Sequence, residues 1–233
     1  MDINIDEYKN IKILRDDKLL GGTKSRFIEK ILDKQKIGYV YATPVYGSFQ
    51  IALAGVCKKL NKECIIFCAG RKKKHAHTLE VEKMGGVVNE SLKGYLNVIQ
   101  SKAKKFVLEN PSYQYIEFGG NYDFGINIIS QTMKKIIKKL EKEPDEIYCA
   151  VGSGTLVKGI LKGTENAKIT GVVVGKDFNF QHERLNLIKY PKKFENISRC
   201  KVPFQCMPNY DLKAFEICLE NFNNNDVLFW NVY

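Results

Sequence analysis

Residues 146–156 are the most informative segment for the fold of this 233-residue chain. The segment reads Glu146-Ile147-Tyr148-Cys149-Ala150-Val151-Gly152-Ser153-Gly154-Thr155-Leu156. Its apolar first half predicts a buried strand, and the Gly-Ser-Gly-Thr run that follows predicts a loop leading into a helix. Such a loop is typical of a phosphate cradle, because several backbone N–H groups point at one small volume. The P-loop ending and the full Gly-x-Gly-x-x-Gly pattern are both missing, so a plain tight turn is the alternative.

Apolar runs and helical patterns alternate on both sides of this stretch. Continuous apolar strands separated by helices indicate an α/β fold with a parallel sheet covered on both faces, and ligands of such sheets bind beyond the carboxyl ends of the strands. The predicted strands are 39–42, 64–68, 113–118, 146–151, 169–175 and 227–231. The predicted helices are 24–35, 48–60, 75–84, 92–109, 124–141, 156–163, 183–189 and 212–222.

The composition, with 44% hydrophobic and 27% charged residues, excludes a disordered, collagen-like or disulfide-scaffold protein. No apolar run reaches the roughly 20 residues of a membrane span. The start of the chain lacks the layout of a signal peptide, and the seven cysteines contain no Cys-x-x-Cys pair. We therefore expect a cytoplasmic protein with free thiols and no membrane partner. No metal site is expected either, because the three histidines are not at ligand spacing with the cysteines.

The net charge is +11, from 37 Lys and Arg against 26 Asp and Glu. Basic residues cluster at Arg71-Lys72-Lys73-Lys74 and in the run Lys134-Lys135 with Lys138-Lys139. The second cluster fits the solvated face of an amphipathic helix, while attraction of anions such as phosphorylated small molecules is the alternative reading of the charge. No DNA- or RNA-binding motif accompanies the charge, so a nucleic-acid partner is the lowest-ranked hypothesis.

Two further turns carry candidate site residues. Gly21-Gly22-Thr23-Lys24 opens a predicted helix, where desolvation, the positive helix end and a bound cofactor would make the Lys24 amine nucleophilic. A solvated lysine after a glycine turn is the alternative. Ser48 follows Gly47 at the start of another predicted helix, where its hydroxyl either caps the helix or faces a ligand.

Taken in order, these turns resemble the fold-type II pyridoxal-phosphate enzymes, and in particular the family of 1-aminocyclopropane-1-carboxylate (ACC) deaminase and D-cysteine desulfhydrase. That family typically has Lys-Arg-Asp-Asp-Leu, a short gap and Gly-Gly-Asn-Lys, where this chain has Leu14-Arg15-Asp16-Asp17-Lys18-Leu19 and Gly21-Gly22-Thr23-Lys24. Its Ser-Gly-Asn segment, its Gly-Gly-Asn segment, its phosphate loop and its Tyr-Glu-Gly-Lys-Ala motif also have counterparts here. These are Ser48, Gly119-Gly120-Asn121, Gly152-Ser153-Gly154-Thr155 and Tyr210-Asp211-Leu212-Lys213-Ala214.

The resemblance implies the fold-type II architecture, a tryptophan synthase β-like three-layer α/β sandwich with a parallel sheet and a reduced small domain. Residues 1–233 would form a single cofactor-binding unit. Within it, about 39–125 would be a small substrate-covering subdomain, and 11–38 with 126–233 the large cofactor subdomain. A homodimer is expected, as is common in the family.

The resemblance also implies a role for each matched residue. Lys24 would form the Schiff base with pyridoxal 5'-phosphate and move a proton at the substrate α-carbon, and Ser48 would contact the ring oxygen and serve catalysis. Tyr210 would be an acid/base or substrate contact. Asp211 would pair with the ring nitrogen, with an exposed helix-capping Asp as the alternative. The phosphate would be bound by Gly152, Ser153, Gly154, Thr155 and Leu156.

The departures from the family bear on the reaction. Gly47 stands where the deaminase and the desulfhydrase carry a serine, and the chain is shorter than family members. The leading hypothesis is a lyase or deaminase that acts on a small amino-acid substrate by α-carbanion chemistry, through elimination or deamination. The alternative is a degenerate homologue that binds the cofactor or a metabolite without turnover.

Overall fold

A computed structural model describes residues 2–92, 94–119, 122–175, 177–223 and 225–233, without the side chain of Tyr122. The chain divides into two compact units. Unit 1 is Met1–Leu19 with Tyr122–Tyr233, and unit 2 is Leu20–Asn121. The expected small subdomain at 39–125 and large subdomain at 11–38 and 126–233 stay a prediction.

The described residues form ten strands and seven α-helices, with short 3₁₀ segments between some of them. The strands are β1 Ile5–Tyr8, β2 Ile11–Arg15, β3 Gly38–Ala42, β4 Glu63–Ala69, β5 Val87–Ser91, β6 Tyr113–Ile116, β7 Glu146–Val151, β8 Lys168–Val173, β9 Leu185–Lys189 and β10 Val227–Asn231. The helices are α1 Ser25–Ile28, α2 Phe49–Leu60, α3 Ala76–Lys83, α4 Leu96–Glu109, α5 Tyr122–Leu140, α6 Thr155–Gly163 and α7 Asp211–Asn221.

Unit 1 contains a six-stranded sheet in the order β1-β2-β10-β7-β8-β9. Its strands are parallel except for the antiparallel pair β1 and β2. Successive residues of β7 belong to two different hydrophobic clusters, one on each face of the sheet. Cys149 packs with α5 and α6, whereas Tyr148 and Ala150 pack with α7. This alternation shows a sheet covered by helices on both faces, as the apolar runs predict.

Helix α5 shows why the second lysine cluster is solvated. Its residues Met133 and Ile136 are fully buried against the sheet, whereas the lysines at 134, 135, 138 and 139 are exposed. The predicted amphipathic helix is therefore confirmed. Among the described residues, no helix combines the length and the apolar character that crossing a bilayer requires.

Unit 2 contains a four-stranded sheet in the order β5-β4-β3-β6, with all neighbours parallel. Val40 and Ala42 of β3 pack with Ile99 of α4. Tyr41, which points to the opposite face, stacks on Phe49 of α2 with ring centroids 4.4 Å apart. Strand β3 is consequently buried on both faces, and its carboxyl end leads directly into the turn that carries Ser48.

Several predicted elements differ from the structure. The helix predicted at 183–189 is wrong: the segment is strand β9, in which Leu185 and Leu187 pack against the core of unit 1 with the period of two that belongs to a strand. The helix predicted at 24–35 is in fact a 3₁₀ turn at Gly22–Lys24, the single-turn helix α1 and a second 3₁₀ turn at Glu29–Ile31. Strands β1, β2 and β5 were also not predicted.

Candidate active site

The loop between β7 and α6 has the form of a cradle for an anion. Gly154 has φ +85° and precedes helix α6, and a Cβ at this position would lie 2.1 Å from the ring of Phe178. Only glycine fits this position, because the backbone conformation and the close aromatic ring both exclude a side chain. Ser153 Oγ lies 3.2 Å from Thr155 Oγ1, so two hydroxyls sit together at the positive end of the helix.

Tyr210 closes one side of this loop. A Cβ at Gly152 would lie 2.8 Å from Tyr210 Oη, so the phenol approaches the backbone of the loop closely. Burial and the neighbouring Asp211 raise the pKa of Tyr210, which keeps the phenol protonated at neutral pH. The structure thus brings Tyr210 together with the glycine loop.

Asp211 is the first residue of α7 and is completely buried, which contradicts the alternative of an exposed capping residue. Its Oδ2 accepts a hydrogen bond from the backbone N–H of Tyr233 at 3.1 Å. Its Oδ1 is buried and has no hydrogen-bond partner among the described residues. Burial first, and then the nearby Asp17 and Asp16, raise the pKa of this carboxyl well above its usual range. A cationic donor beside Oδ1 would satisfy the atom and restore its charge.

In unit 2, two glycines place Lys24 against helix α2. Gly21 and Gly22 both have positive φ, and a Cβ on Gly21 would lie 2.3 Å from the Cβ of Ala52. The close approach of the turn to α2 therefore requires glycine at position 21. Ser25 Oγ donates to the carbonyl of Leu20 and closes the turn.

The Lys24 side chain faces an aromatic ring. Its Nζ lies 5.7 Å from the ring centroid of Phe49, the first residue of α2, and forms no hydrogen bond or ion pair with the described residues. Burial lowers the pKa of Lys24 to about 8. Because an uncharged amine is the nucleophilic form, a lowered pKa increases the fraction of Lys24 that is nucleophilic near neutral pH.

Ser48 lies at the N-terminus of the same helix. It occupies the N-cap position, but its side chain makes no capping hydrogen bond. The turn before it is held instead by Gln50, whose Nε2 donates to the carbonyls of Val45 at 2.9 Å and Gly47 at 3.0 Å. The hydroxyl of Ser48 is therefore not needed for the turn, and Ser48 directly precedes Phe49, the residue whose ring Lys24 Nζ faces.

Three contributors to these sites were not predicted from the sequence: Phe178 over the glycine loop, Gln50 under the Ser48 turn and His77. The His77 ring donates to the backbone carbonyls of Tyr46 and Gly47 in the same turn. Nothing local in the sequence marks Phe178 or His77, because each acts from an element other than the one it contacts, whereas Gln50 lies on α2 itself, two residues after Ser48. Of the matched family segment at 119–121, Gly120 and Asn121 lie outside the described residues.

Comparison with known families decides the class of protein. A family model described as pyridoxal-phosphate dependent enzyme matches residues 17–183, more than two thirds of the chain, including Lys24, Ser48 and the glycine loop. The chain belongs to the pyridoxal-phosphate-dependent enzyme family. No curated protein sequence matches it. The resemblance drawn from the motifs is confirmed at the level of the family.

Solved structures confirm the fold-type II architecture. An ACC deaminase homologue superposes with a TM-score of 0.85 at 19% identity, covering 100% of this chain and 89% of the other. O-acetyl serine sulfhydrylase isoform 3 from Entamoeba histolytica has a TM-score of 0.74 at 17% identity, with coverages of 97% and 80%. A hydrogen sulfide-producing enzyme from Fusobacterium nucleatum has a TM-score of 0.73 at 16% identity, with coverages of 99% and 94%. These likenesses establish the fold.

The residues present fit the cofactor of this family. In unit 1, the loop offers backbone N–H groups and two hydroxyls of the kind that a phosphate ester requires, and Asp211 Oδ1 is a buried acceptor without a partner among the described residues. In unit 2, Lys24 is an amine of lowered pKa that likewise has no hydrogen-bond partner in the described part of the chain. Each unit therefore holds groups of the type that pyridoxal phosphate requires.

Proposed function

We propose that the chain carries pyridoxal phosphate on Lys24 and acts on a small amino acid, in an elimination or deamination that begins with removal of the proton from the α-carbon. The observation that carries this proposal is the state of Lys24. An amine with a pKa of about 8, set by two glycines against α2 and facing the ring of Phe49, suits reaction with an aldehyde. Once the substrate amine has replaced it, the same amine suits proton transfer.

The other residues have roles that follow from their surroundings. When bound, the cofactor supplies an electron sink for negative charge at the α-carbon. Ser153, Thr155 and the N–H groups of residues 152–156 bind its phosphate. Asp211 Oδ1 accepts from the ring nitrogen and keeps it protonated, which strengthens the sink. Tyr210 holds a proton that it donates to the substrate, and Ser48 contacts the ring oxygen.

The structural relatives support amino-acid chemistry. Their names describe an ACC deaminase homologue, an O-acetyl serine sulfhydrylase and a hydrogen sulfide-producing enzyme. The first two names contain a small amino acid, the third names only the product hydrogen sulfide, and the reactions differ. We accordingly propose a class of substrate, a small amino acid, and the screen described below identifies the leaving group.

The decisive experiment locates the cofactor. The purified protein, reconstituted with pyridoxal phosphate, should absorb in the visible range, and borohydride should bleach the band and fix the cofactor to the peptide that contains Lys24. Lys24→Ala should abolish the band. Lys30→Ala, which removes an exposed lysine six residues further on, should leave it unchanged. A protein that stays colourless after reconstitution, or a cofactor fixed to another lysine, would refute the proposal.

One observation favours a second candidate, cofactor binding without turnover. A Cβ at Gly47 would lie 2.4 Å from Thr43 Oγ1, so the turn is packed where the resembled enzymes carry a serine. The missing hydroxyl would then deprive the site of a catalytic or substrate-binding group. Screening small D- and L-amino acids for release of ammonia, sulfide or a 2-oxo acid separates the two candidates, because robust turnover of any substrate excludes the second.

A further inference from the structure

The basic segment Arg71-Lys72-Lys73-Lys74 follows β4, and the proposed function leaves it without a role. All four residues are exposed. Lys74 forms an ion pair with Glu82. Arg71, Lys72 and Lys73 form no ion pair with any described residue, so three positive charges are free to attract an anion at this end of the sheet.

The sheet of unit 2 places this segment beside the Ser48 turn. Strands β3 and β4 are parallel neighbours, with Ala42 opposite Phe67, so the segments that follow them leave from the same edge. The ring of Tyr46 contacts both His75, with centroids 4.9 Å apart, and Arg71, whose guanidinium carbon lies 5.7 Å from the ring centroid. The guanidinium is thus placed over an aromatic face beside the turn.

Two side chains, His77 and Gln50, hold the backbone of the turn that contains Tyr46. The His77 ring donates to the carbonyls of Tyr46 and Gly47, and Gln50 also donates to the carbonyl of Gly47. Because this turn continues into Ser48 and Phe49, it links the position of Arg71 to the ring that faces Lys24 Nζ. Arg71 and the Lys24 amine therefore each lie 5.7 Å from an aromatic ring of the same segment, Tyr46 for Arg71 and Phe49 for Lys24.

We propose that Arg71, held against Tyr46, binds an anionic group on the side chain of the amino-acid substrate, a second carboxylate or a phosphate. The planar fork of arginine forms paired hydrogen bonds with either group, and Lys72 and Lys73 add attraction to negative charge. This inference rests on the proposed function and narrows its substrate class from small amino acids to acidic or phosphorylated ones.

The test compares amino acids that differ in charge. Aspartate against asparagine, and O-phosphoserine against serine, are titrated as both D and L forms, and the change in cofactor absorbance gives the dissociation constants. Calorimetric titration of the cofactor-free protein provides a second readout. The anionic member of each pair should bind about 10-fold more tightly, as expected for one charge-assisted contact at a partly solvated site. The preference should weaken in high salt.

Variants assign the preference to Arg71. Arg71→Ala should reduce it to within about twofold while leaving the cofactor band unchanged. Lys105→Ala is the matched control, since it removes an exposed positive charge from the carboxyl-terminal half of α4 and should preserve the preference. Equal binding of the neutral and anionic members, or a preference that survives Arg71→Ala, overturns the inference and leaves the proposed function intact. If no cofactor binds, the proposed function fails and the calorimetric titrations still decide on Arg71.

Discussion

The two units of this chain hold their candidate residues in opposite ways. In unit 1, Gly154 is confined by the ring of Phe178, Gly152 lies under Tyr210, and Asp211 is sealed in the interior. In unit 2, the Lys24 amine forms no hydrogen bond with the described residues and Ser48 leaves its helix uncapped. Packing fixes the position of the first group, although Asp211 Oδ1 has no partner among the described residues, whereas the side chains of Lys24 and Ser48 are not held by hydrogen bonds of this kind.

This difference follows from what each group is proposed to do. A phosphate and a ring nitrogen keep the same partners throughout a reaction, so residues that hold them gain from being rigid. An amine that must exchange a bond with the substrate would lose a structural hydrogen bond at each exchange, which costs free energy. Substitutions in unit 1 should therefore alter stability, and substitutions of the unit 2 side chains should alter chemistry.

The largest expected effect is on the reactivity of Lys24. Its pKa of about 8 means that its uncharged fraction rises as the pH increases through about 8, whereas an ordinary lysine requires about 10.5. Near pH 7 the uncharged fraction should exceed that of an exposed lysine by about 300-fold. Pulse labelling of the cofactor-free protein with an amine reagent, followed by mass spectrometry across pH 6 to 11 or so, measures this fraction.

Lys30 provides the internal reference for this profile. It is exposed and lies in the same unit, so its labelling should follow the ordinary lysine pKa. If Lys24 and Lys30 show the same dependence of labelling on pH, burial does not lower the pKa of Lys24. The proposal that the unit 2 side chains serve chemistry would then lose its support from Lys24.

Sequence reasoning was most accurate where one local pattern determines the structure. The strands at 146–151 and 227–231 were predicted with the bounds that the structure has, because each is a continuous apolar run buried on both faces of a sheet. The glycine loop and the Lys24 turn were found for a related reason: glycines at a backbone that must approach a neighbour closely leave a signal in the sequence.

Sequence reasoning failed where a distant contact decides. The segment 183–189 became the edge strand β9 because β8 offers it a parallel partner, which local helix propensity does not reveal. Phe178 is 24 residues beyond the Gly154 that it covers, and no pattern in either segment predicts the contact. The burial of Asp211, which separates a ligand residue from an exposed cap, likewise depends on tertiary packing.

A substitution in the glycine loop tests whether packing fixes the candidate residues of unit 1. Gly154→Ala adds a Cβ 2.1 Å from the Phe178 ring and places alanine at φ +85°. We expect the free energy of unfolding to fall by about 2–3 kcal/mol, from backbone strain of about 1 kcal/mol and the displacement of the ring. Chemical denaturation measures the loss, and the affinity for the cofactor should fall with it.

Gly85→Ala is the matched control for this variant. Gly85 has φ +88°, and a Cβ there would meet no atom within 4 Å, so this substitution reports backbone strain alone at about 1 kcal/mol. If the free energy of unfolding falls equally in the two variants, the Phe178 ring moves aside without cost. Packing against Phe178 would then not fix the loop.

The smallest expected effect on stability is that of Ser48→Ala. Removing an N-cap serine commonly costs about 1 kcal/mol, but this hydroxyl makes no capping hydrogen bond, so the free energy of unfolding should change by less than about 0.5 kcal/mol. The dissociation constant of the cofactor should nevertheless rise by about 10-fold, because one hydrogen bond to the ring oxygen is lost. Denaturation curves and cofactor titrations of the same preparation separate the two quantities. A loss of stability near 1 kcal/mol with unchanged cofactor affinity would identify Ser48 as a plain helix cap, and this side chain of unit 2 would then serve the fold in the same way that the packed loop of unit 1 does.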